Sequence, residues 1–272
     1  MNAACTPTKS PALWLAGAGL VALTAATAAH ADSASYVLGS DLGSSSGRYG
    51  TAIDTRINTF RVRGEVHIDD WDATLSVPWL SIDGNPGVVP GAGTTLNPKK
   101  RGKAGATTAT ASGLGDISLT LGHDLFYDAA SRTGADLTGR LKLGTASQNE
   151  GLGTGTTDAG LLLAVYRRFG SLIGMADLGT TRQGSSSTLH LRPRVADASL
   201  TVVWRPNDHF SLSAALDAAE PTTVGGTATR SLSLAASRTL ATSWTLQGSV
   251  GHGLTTASPD WSASLGLRRR FE

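Results

Sequence analysis

Leu137, Gly139, Leu141 and Leu143 fall on one side of an extended chain, and Thr138, Arg140, Lys142 and Gly144 on the other. A helical period of 3.6 would mix the two sets; a period of two keeps them apart. The same separation returns in Phe210, Leu212, Ala214 and Leu216 against Ser211, Ser213, Ala215 and Asp217. It returns in Trp244, Leu246, Gly248 and Val250 against Thr245, Gln247, Ser249 and Gly251, and again in Trp261, Ala263, Leu265 and Leu267 against Ser262, Ser264, Gly266 and Arg268. Mean hydropathy is only −0.04 because the two faces cancel in any average. A chain with 33 glycines and this alternation suits a barrel with lipid outside and a polar interior better than a large water-soluble fold around an oily core. The expected class is all-β: an antiparallel up-and-down transmembrane β-barrel of about 12 strands.

Followed along the chain, the pattern predicts strands near 36–43, 52–68, 71–82, 115–127, 135–145, 158–168, 172–181, 191–205, 210–219, 229–239, 244–254 and 261–271. Tight turns are expected at Asp69-Asp70 and at 169–171, 206–209 and 240–243, and longer polar links such as 145–157 between the others. In bacterial outer-membrane barrels the tight turns are periplasmic, the long loops extracellular, and an even strand number leaves both termini periplasmic. Aromatic residues follow this frame. Trp71, Tyr127, Phe169, Trp204, Phe210, Trp244 and Phe271 adjoin the tight turns or the C-terminus, and Trp79 and Trp261 fall at the opposite strand ends. That is where lipid headgroups would meet the wall.

The amino terminus has the form of an export signal. Lys9 precedes an apolar stretch from Leu13 to Ala28, and Ala29-His30-Ala31 is a small-x-small cleavage site, so 1–31 is expected to be removed and 32–272 to form the barrel. The stretch is shorter than the roughly 20 apolar residues of a membrane helix. Cys5 precedes it and cannot be a lipid-accepting cysteine after the cleavage site. The mature chain would have 272 − 31 = 241 residues with 22 basic and 21 acidic side chains, a balance that argues for no nucleic-acid partner. The main interruption is 83–114, rich in Gly, Pro and Thr and carrying Lys99, Lys100, Arg101 and Lys103. It reads either as a solvated loop facing anionic lipopolysaccharide or as a segment that folds back over the mouth.

Strand parity sends Arg61, Arg63, Glu65, His67, Asp124, Arg140, Lys142, Asp177, Asp217, Arg268 and Arg270 to the lumen. The alternative placement is costly, since an Arg or Lys facing lipid at the midplane loses about 2–4 kcal/mol. Such charges either pair across the barrel as a plug or line a hydrated path; Arg61, Arg63, Arg140 and Lys142 would attract phenolates or benzoates if their strands align in height. Ser112-Gly-Leu-Gly-Asp116 and the Gly-rich run from Gly151 to Asp158 lack the Lys-Ser/Thr ending of a phosphate loop and are expected to start strands at the outer rim. His123 shares the lipid-facing parity of Ile117, Leu119 and Leu121, but no neighbouring sequence supplies a serine and an orienting partner. His67, His190, His209 and His252 lack metal-ligand spacing, so no metal, cofactor or enzymatic activity is expected.

Four stretches carry a family likeness: Ser46-Gly-Arg-Tyr-Gly50; Trp71-Asp-Ala-Thr-Leu-Ser-Val-Pro-Trp-Leu-Ser-Ile-Asp-Gly84; Ser112-Gly-Leu-Gly-Asp116; and Leu141-Lys-Leu-Gly144 followed by Gly151-Leu-Gly-Thr-Gly-Thr-Thr-Asp158. In these, in their order, the chain resembles the outer-membrane family named for the meta-pathway of phenol degradation, proposed transporters encoded beside aromatic-catabolism genes. The likeness spans most of 36–205. It implies an outer-membrane channel or uptake protein for small, aromatic or hydrophobic solutes. Its expected partners are outer-membrane lipid and lipopolysaccharide, the solute and the barrel assembly machinery. A structural or adhesion barrel without conduction is the alternative, and an outer-membrane hydrolase the third reading. One departure from the pattern stands at the end, where Phe271 is followed by Glu272 instead of closing the chain.

Overall fold

The structure is a computed structural model that describes residues 34–90 and 108–271 together with the two-residue strands Cys5–Thr6, Ala26–Thr27 and Thr95–Leu96. Most of the expected export signal and the basic run Lys99 to Lys103 lie outside the described residues. The barrel is built from β1 (Ser35–Gly47), β2 (Thr55–Ile68), β3 (Trp71–Gly84), β4 (Ala109–Leu114), β5 (Ile117–Asp128), β6 (Thr133–Leu143) and β7 (Asp158–Phe169). It continues through β8 (Leu172–Arg182), β9 (Arg194–Asn207), β10 (Phe210–Ala219), β11 (Thr229–Ala241), β12 (Trp244–Gly253) and β13 (Trp261–Phe271). Each pairs antiparallel with its neighbours, and β13 returns to β1 from Trp261↔Ser46 to Phe271↔Tyr36. Closure leaves no edge, which a sheet in lipid requires because nothing there can satisfy free N–H and C=O groups.

β4 and β5 are two halves of one stave, which makes 12 staves in the ring. β3 pairs with β5 from Trp71↔His123 to Ser76↔Ser118 and with β4 from Trp79↔Leu114 to Gly84↔Ala109. Between them three residues, 115–117, oppose two, 77–78. Pro78 has no N–H to offer the ladder, while its carbonyl accepts from Gly115 N at 2.9 Å, so the stave bulges there. The expectation of a strand starting at 115 is therefore corrected. Ser112 to Leu114 are already in the wall, and Gly115-Asp116 form its bend.

Connections alternate in length. Two residues join β2 to β3, β7 to β8, β9 to β10 and β11 to β12, and four join β5 to β6. Asp69 takes φ 49° in the first of these, the left-handed conformation that tight hairpins demand. The other end carries 48–54, 144–157, 183–193, 220–228 and 254–260, together with 85–90 of the link between β3 and β4. Both terminal strands end at the short-turn end, where Tyr36 meets Phe271.

The greasy parity faces outward. Leu42, Leu178, Leu200, Leu216, Leu234 and Leu265 are all exposed, as are Trp71, Phe169, Trp204, Trp244 and Phe271 near the short turns and Trp79 and Trp261 near the long loops. Among the described residues the outward arginines of the strands lie toward strand ends: Arg167, Arg238 and Arg269 at one rim, Arg56, Arg182, Arg194 and Arg230 at the other. The first rim is stitched to the aromatics, with Arg167 over Phe169 at 5.1 Å and Arg269 over Phe271 at 4.8 Å.

Candidate functional site: the lumen wall

The inward face divides by strand. Arg61, Arg63, Glu65 and His67 project from β2, Asp41 from β1, and Arg268 and Arg270 from β13, all opposite in parity to Leu42, Phe60, Val62 and Leu265. Asp41 lies between two guanidinium groups, 3.8 Å from Arg61 and 3.6 Å from Arg63. Glu65 faces Arg268 at 3.9 Å and His67 at 3.7 Å. Arg268 reaches Glu65 by lying across Gly39, where an added Cβ would stand 3.0 Å from the Arg268 Cγ. In the amide orientation that satisfies both groups, Gln247 Oε1 accepts from that guanidinium. Four arginines against two carboxylates leave this sector, β13–β1–β2, with an excess of positive charge.

Across the ring, Asp177 on β8, Asp197 on β9 and Asp217 on β10 point inward with Arg140 of β6 as the cation among them. Arg140 is 4 % exposed and binds both carboxylate oxygens of Asp197, at 2.6 and 3.0 Å, while Thr181 Oγ1 accepts from it at 3.3 Å. To do so it passes over Gly179, whose Cβ position it and Asp197 fill. Asp177 accepts from Ser199 Oγ at 2.6 Å. Counted from the short-turn ends, Arg63 and Arg61 stand five and seven residues up β2 (68 − 63, 68 − 61). Asp177 and Asp217 stand five and seven residues up β8 and β10 (177 − 172, 217 − 210). Opposite charges thus face one another at comparable depth. They also retain contact with solvent space inside the ring, since 36 % of the Arg61 side chain, 22 % of Asp41 and 25 % of Asp197 is accessible.

Between these charged groups β10 to β13 carry a run of small inward side chains, Ser211, Ser213, Ala215, Ser233, Ala235, Ser237, Ser249, Ser262 and Ser264, tied in pairs such as Ser211–Ser237 and Ser249–Ser264, both 2.7 Å. On the other flank Tyr166, Ile173, Met175 and Val203 form an apolar cluster near the short-turn end of β7–β9. Asp124 of β5 and Asp136 of β6 are cross-strand partners there, both inward and both near Tyr166.

At the long-loop end the segment 144–157 turns inward. Leu152, 2 % exposed, packs on Leu80 and Ile82 of β3 with Ala146, and a Cβ on Gly113 of β4 would meet it. Lys142 fastens this loop. Its ammonium is 3.0 Å from Asp116 and 3.0 Å from Asp158 and donates to Thr154 Oγ1 at 2.5 Å. Asp116 also accepts from Ala146 N at 3.0 Å, and Asp158 from Thr156 Oγ1 at 3.0 Å and Gly184 N at 2.9 Å. The glycine-rich run 151–158 is thus a loop drawn into the mouth, ending in the aspartate that opens β7.

The structure therefore puts Arg61, Arg63, Glu65, Asp124, Arg140, Lys142, Asp177, Asp217, Arg268 and Arg270 on the inward face, and it separates them into four groups. Arg61 and Arg63 do not continue into Arg140 and Lys142 as one basic stripe; β3, β4 and β5 lie between, and the latter two are locked to carboxylates. Asp41, Asp116, Asp158 and Asp197 were not among the sequence candidates. Asp41 and Asp197 had the right parity; Asp116 and Asp158 stood in glycine-rich stretches read as rim. His123 lies outward and stacks on Trp71, centroids 4.3 Å apart, and among the described residues no serine hydroxyl hydrogen-bonds to it. Nor do His, Cys, Asp and Glu cluster among the described residues as a metal site would require.

No family model matches the chain, and no curated protein matches its sequence. Solved structures do. The KdgM porin in complex with disordered oligogalacturonate superposes with a TM-score of 0.52 at 8% identity, covering 88% of this chain and 99% of that one. The NanC porin gives 0.53 at 11% identity over 85% of this chain and 98% of that one. The chain has the fold of an outer-membrane porin-type β-barrel. At these identities the likeness speaks to the fold alone.

Proposed function

We propose that the barrel is a passive outer-membrane channel for small solutes, with organic anions of aromatic-acid size as its preferred class. The observation that carries this reading is the divided lumen: an arginine-rich sector on β13–β1–β2 across from Asp177, Asp197 and Asp217, with small hydroxyl-bearing side chains between them. A water-filled gap lined this way orients a solute that has a charged head and a less polar body. The carboxylate turns to Arg61, Arg63 and Arg270. The body slides along the serine- and alanine-lined wall and past Tyr166 and Met175. The resemblance to transporters encoded beside aromatic catabolism supports an aromatic body. That one similar barrel was solved with oligogalacturonate supports a carboxylate head. The inward loop 144–157 sets the upper size limit.

Proteoliposomes containing the purified barrel test this directly. Benzoate should enter faster than benzyl alcohol, and Arg61→Gln with Arg63→Gln should bring the two rates together while the protein stays folded. Liposomes no more permeable than protein-free ones would leave the structural or adhesion reading in its place.

A further inference from the structure

On the lipid-facing wall at the long-loop rim, Arg182 of β8 and Arg194 of β9 are directly opposed cross-strand partners, both exposed and both on the outward parity of Leu178 and Leu200. Like charges placed face to face across a ladder repel, so an isolated pair is an unfavourable choice of residues. The same rim adds Arg192 just beyond β9 and Arg230 at the start of β11. Glu220 is the acid among them. It is occupied by Arg192 at 3.6 Å and by Ala196 N at 3.0 Å. Among the described residues no carboxylate reaches Arg182, Arg194 or Arg230, whereas the outward Arg167 and Arg269 of the opposite rim stack on aromatic rings.

The patch stands toward the long-loop end from the exposed leucines of the same strands, four residues beyond Leu178 on β8, six beyond Leu200 on β9 and two beyond Leu232 on β11, the level at which acyl chains give way to headgroups. Planar guanidinium groups bind phosphate through paired N–H donors, and a shared anion converts the Arg182–Arg194 repulsion into two attractions. We infer that this rim is a binding site for the phosphorylated headgroup of an outer-leaflet glycolipid, lipopolysaccharide in an outer membrane, held by Arg182 and Arg194 with Arg230 beside them. The inference does not depend on conduction.

The test is retention of lipopolysaccharide by the full-length barrel after detergent extraction and washing, together with the temperature at which the heat-modifiable band is lost. Added lipopolysaccharide should raise that temperature for the wild type. Arg182→Gln with Arg194→Gln should reduce the retained amount about tenfold and abolish the rise. Arg182→Lys with Arg194→Lys should keep an intermediate fraction, which separates loss of charge from loss of fold. Arg269→Gln, at the other rim, should retain as much lipopolysaccharide as the wild type and show the same rise on its addition. Equal stabilisation by dephosphorylated lipopolysaccharide, or by inorganic phosphate at the same concentration, would overturn the assignment. So would unchanged retention in the doubly neutralised protein.

Discussion

Arg140 shows how a charge is kept inside this wall. It is 57 residues from Asp197 in sequence, yet the two share two hydrogen bonds because glycine at 179 leaves their path clear. Removing one member of such a pair strands the other. Asp197→Ala should destabilise the barrel by about 3–5 kcal/mol, read as a lower urea midpoint of unfolding in detergent, whereas Arg140→Met combined with Asp197→Ala should recover most of that loss. If the single and double variants unfold at the same urea concentration, the pair contributes no coupling. Gly179→Ala should resemble Asp197→Ala, since a methyl group occupies the space both partners use.

At the scale of elements, the loop 144–157 and the last strand carry the predictions. Lys142 bridges Asp116 and Asp158, so Lys142→Met leaves two inward carboxylates close together with no cation between them and releases the loop from the mouth. Single-channel records of that variant should show larger and noisier steps than wild type; an unchanged step size would mean that the loop does not limit the opening. In β13, Phe271 is outward, stacked by Arg269 and paired with Tyr36 at the closing seam. Phe271→Ala should lower the folded, heat-modifiable fraction far more than deletion of Glu272, and equal effects would place the assembly signal elsewhere. These elements also mark the limit of what could be read from the chain. Alternation in 135–145, 210–219, 244–254 and 261–271 was plain because each face of a strand meets one uniform environment along its whole length. The bulge at 115–117 was hidden because its cause, Pro78, lies on the neighbouring strand. The inward course of 144–157 was hidden because it follows from contacts with Leu80, Ile82 and Lys142 and from no local period.

At the scale of the molecule, parity could say which charges turn inward but not which of them meet. That depends on stagger between staves, and the stagger is what joins Arg268 to Glu65 across Gly39 and separates Arg63 from Arg140. Orientation follows from the loops: a tag inserted near Gly102 should be labelled on intact cells, and labelling only after permeabilisation would invert the barrel. Reversal potential across a planar bilayer in a salt gradient reads the two facing sectors of the lumen. Wild-type protein should conduct in discrete steps. Arg61→Gln with Arg63→Gln should shift the reversal potential toward cation selectivity, and Asp177→Asn with Asp217→Asn should shift it toward anions. A folded barrel that passes no current, or one whose selectivity is the same in both variants, would contradict the account.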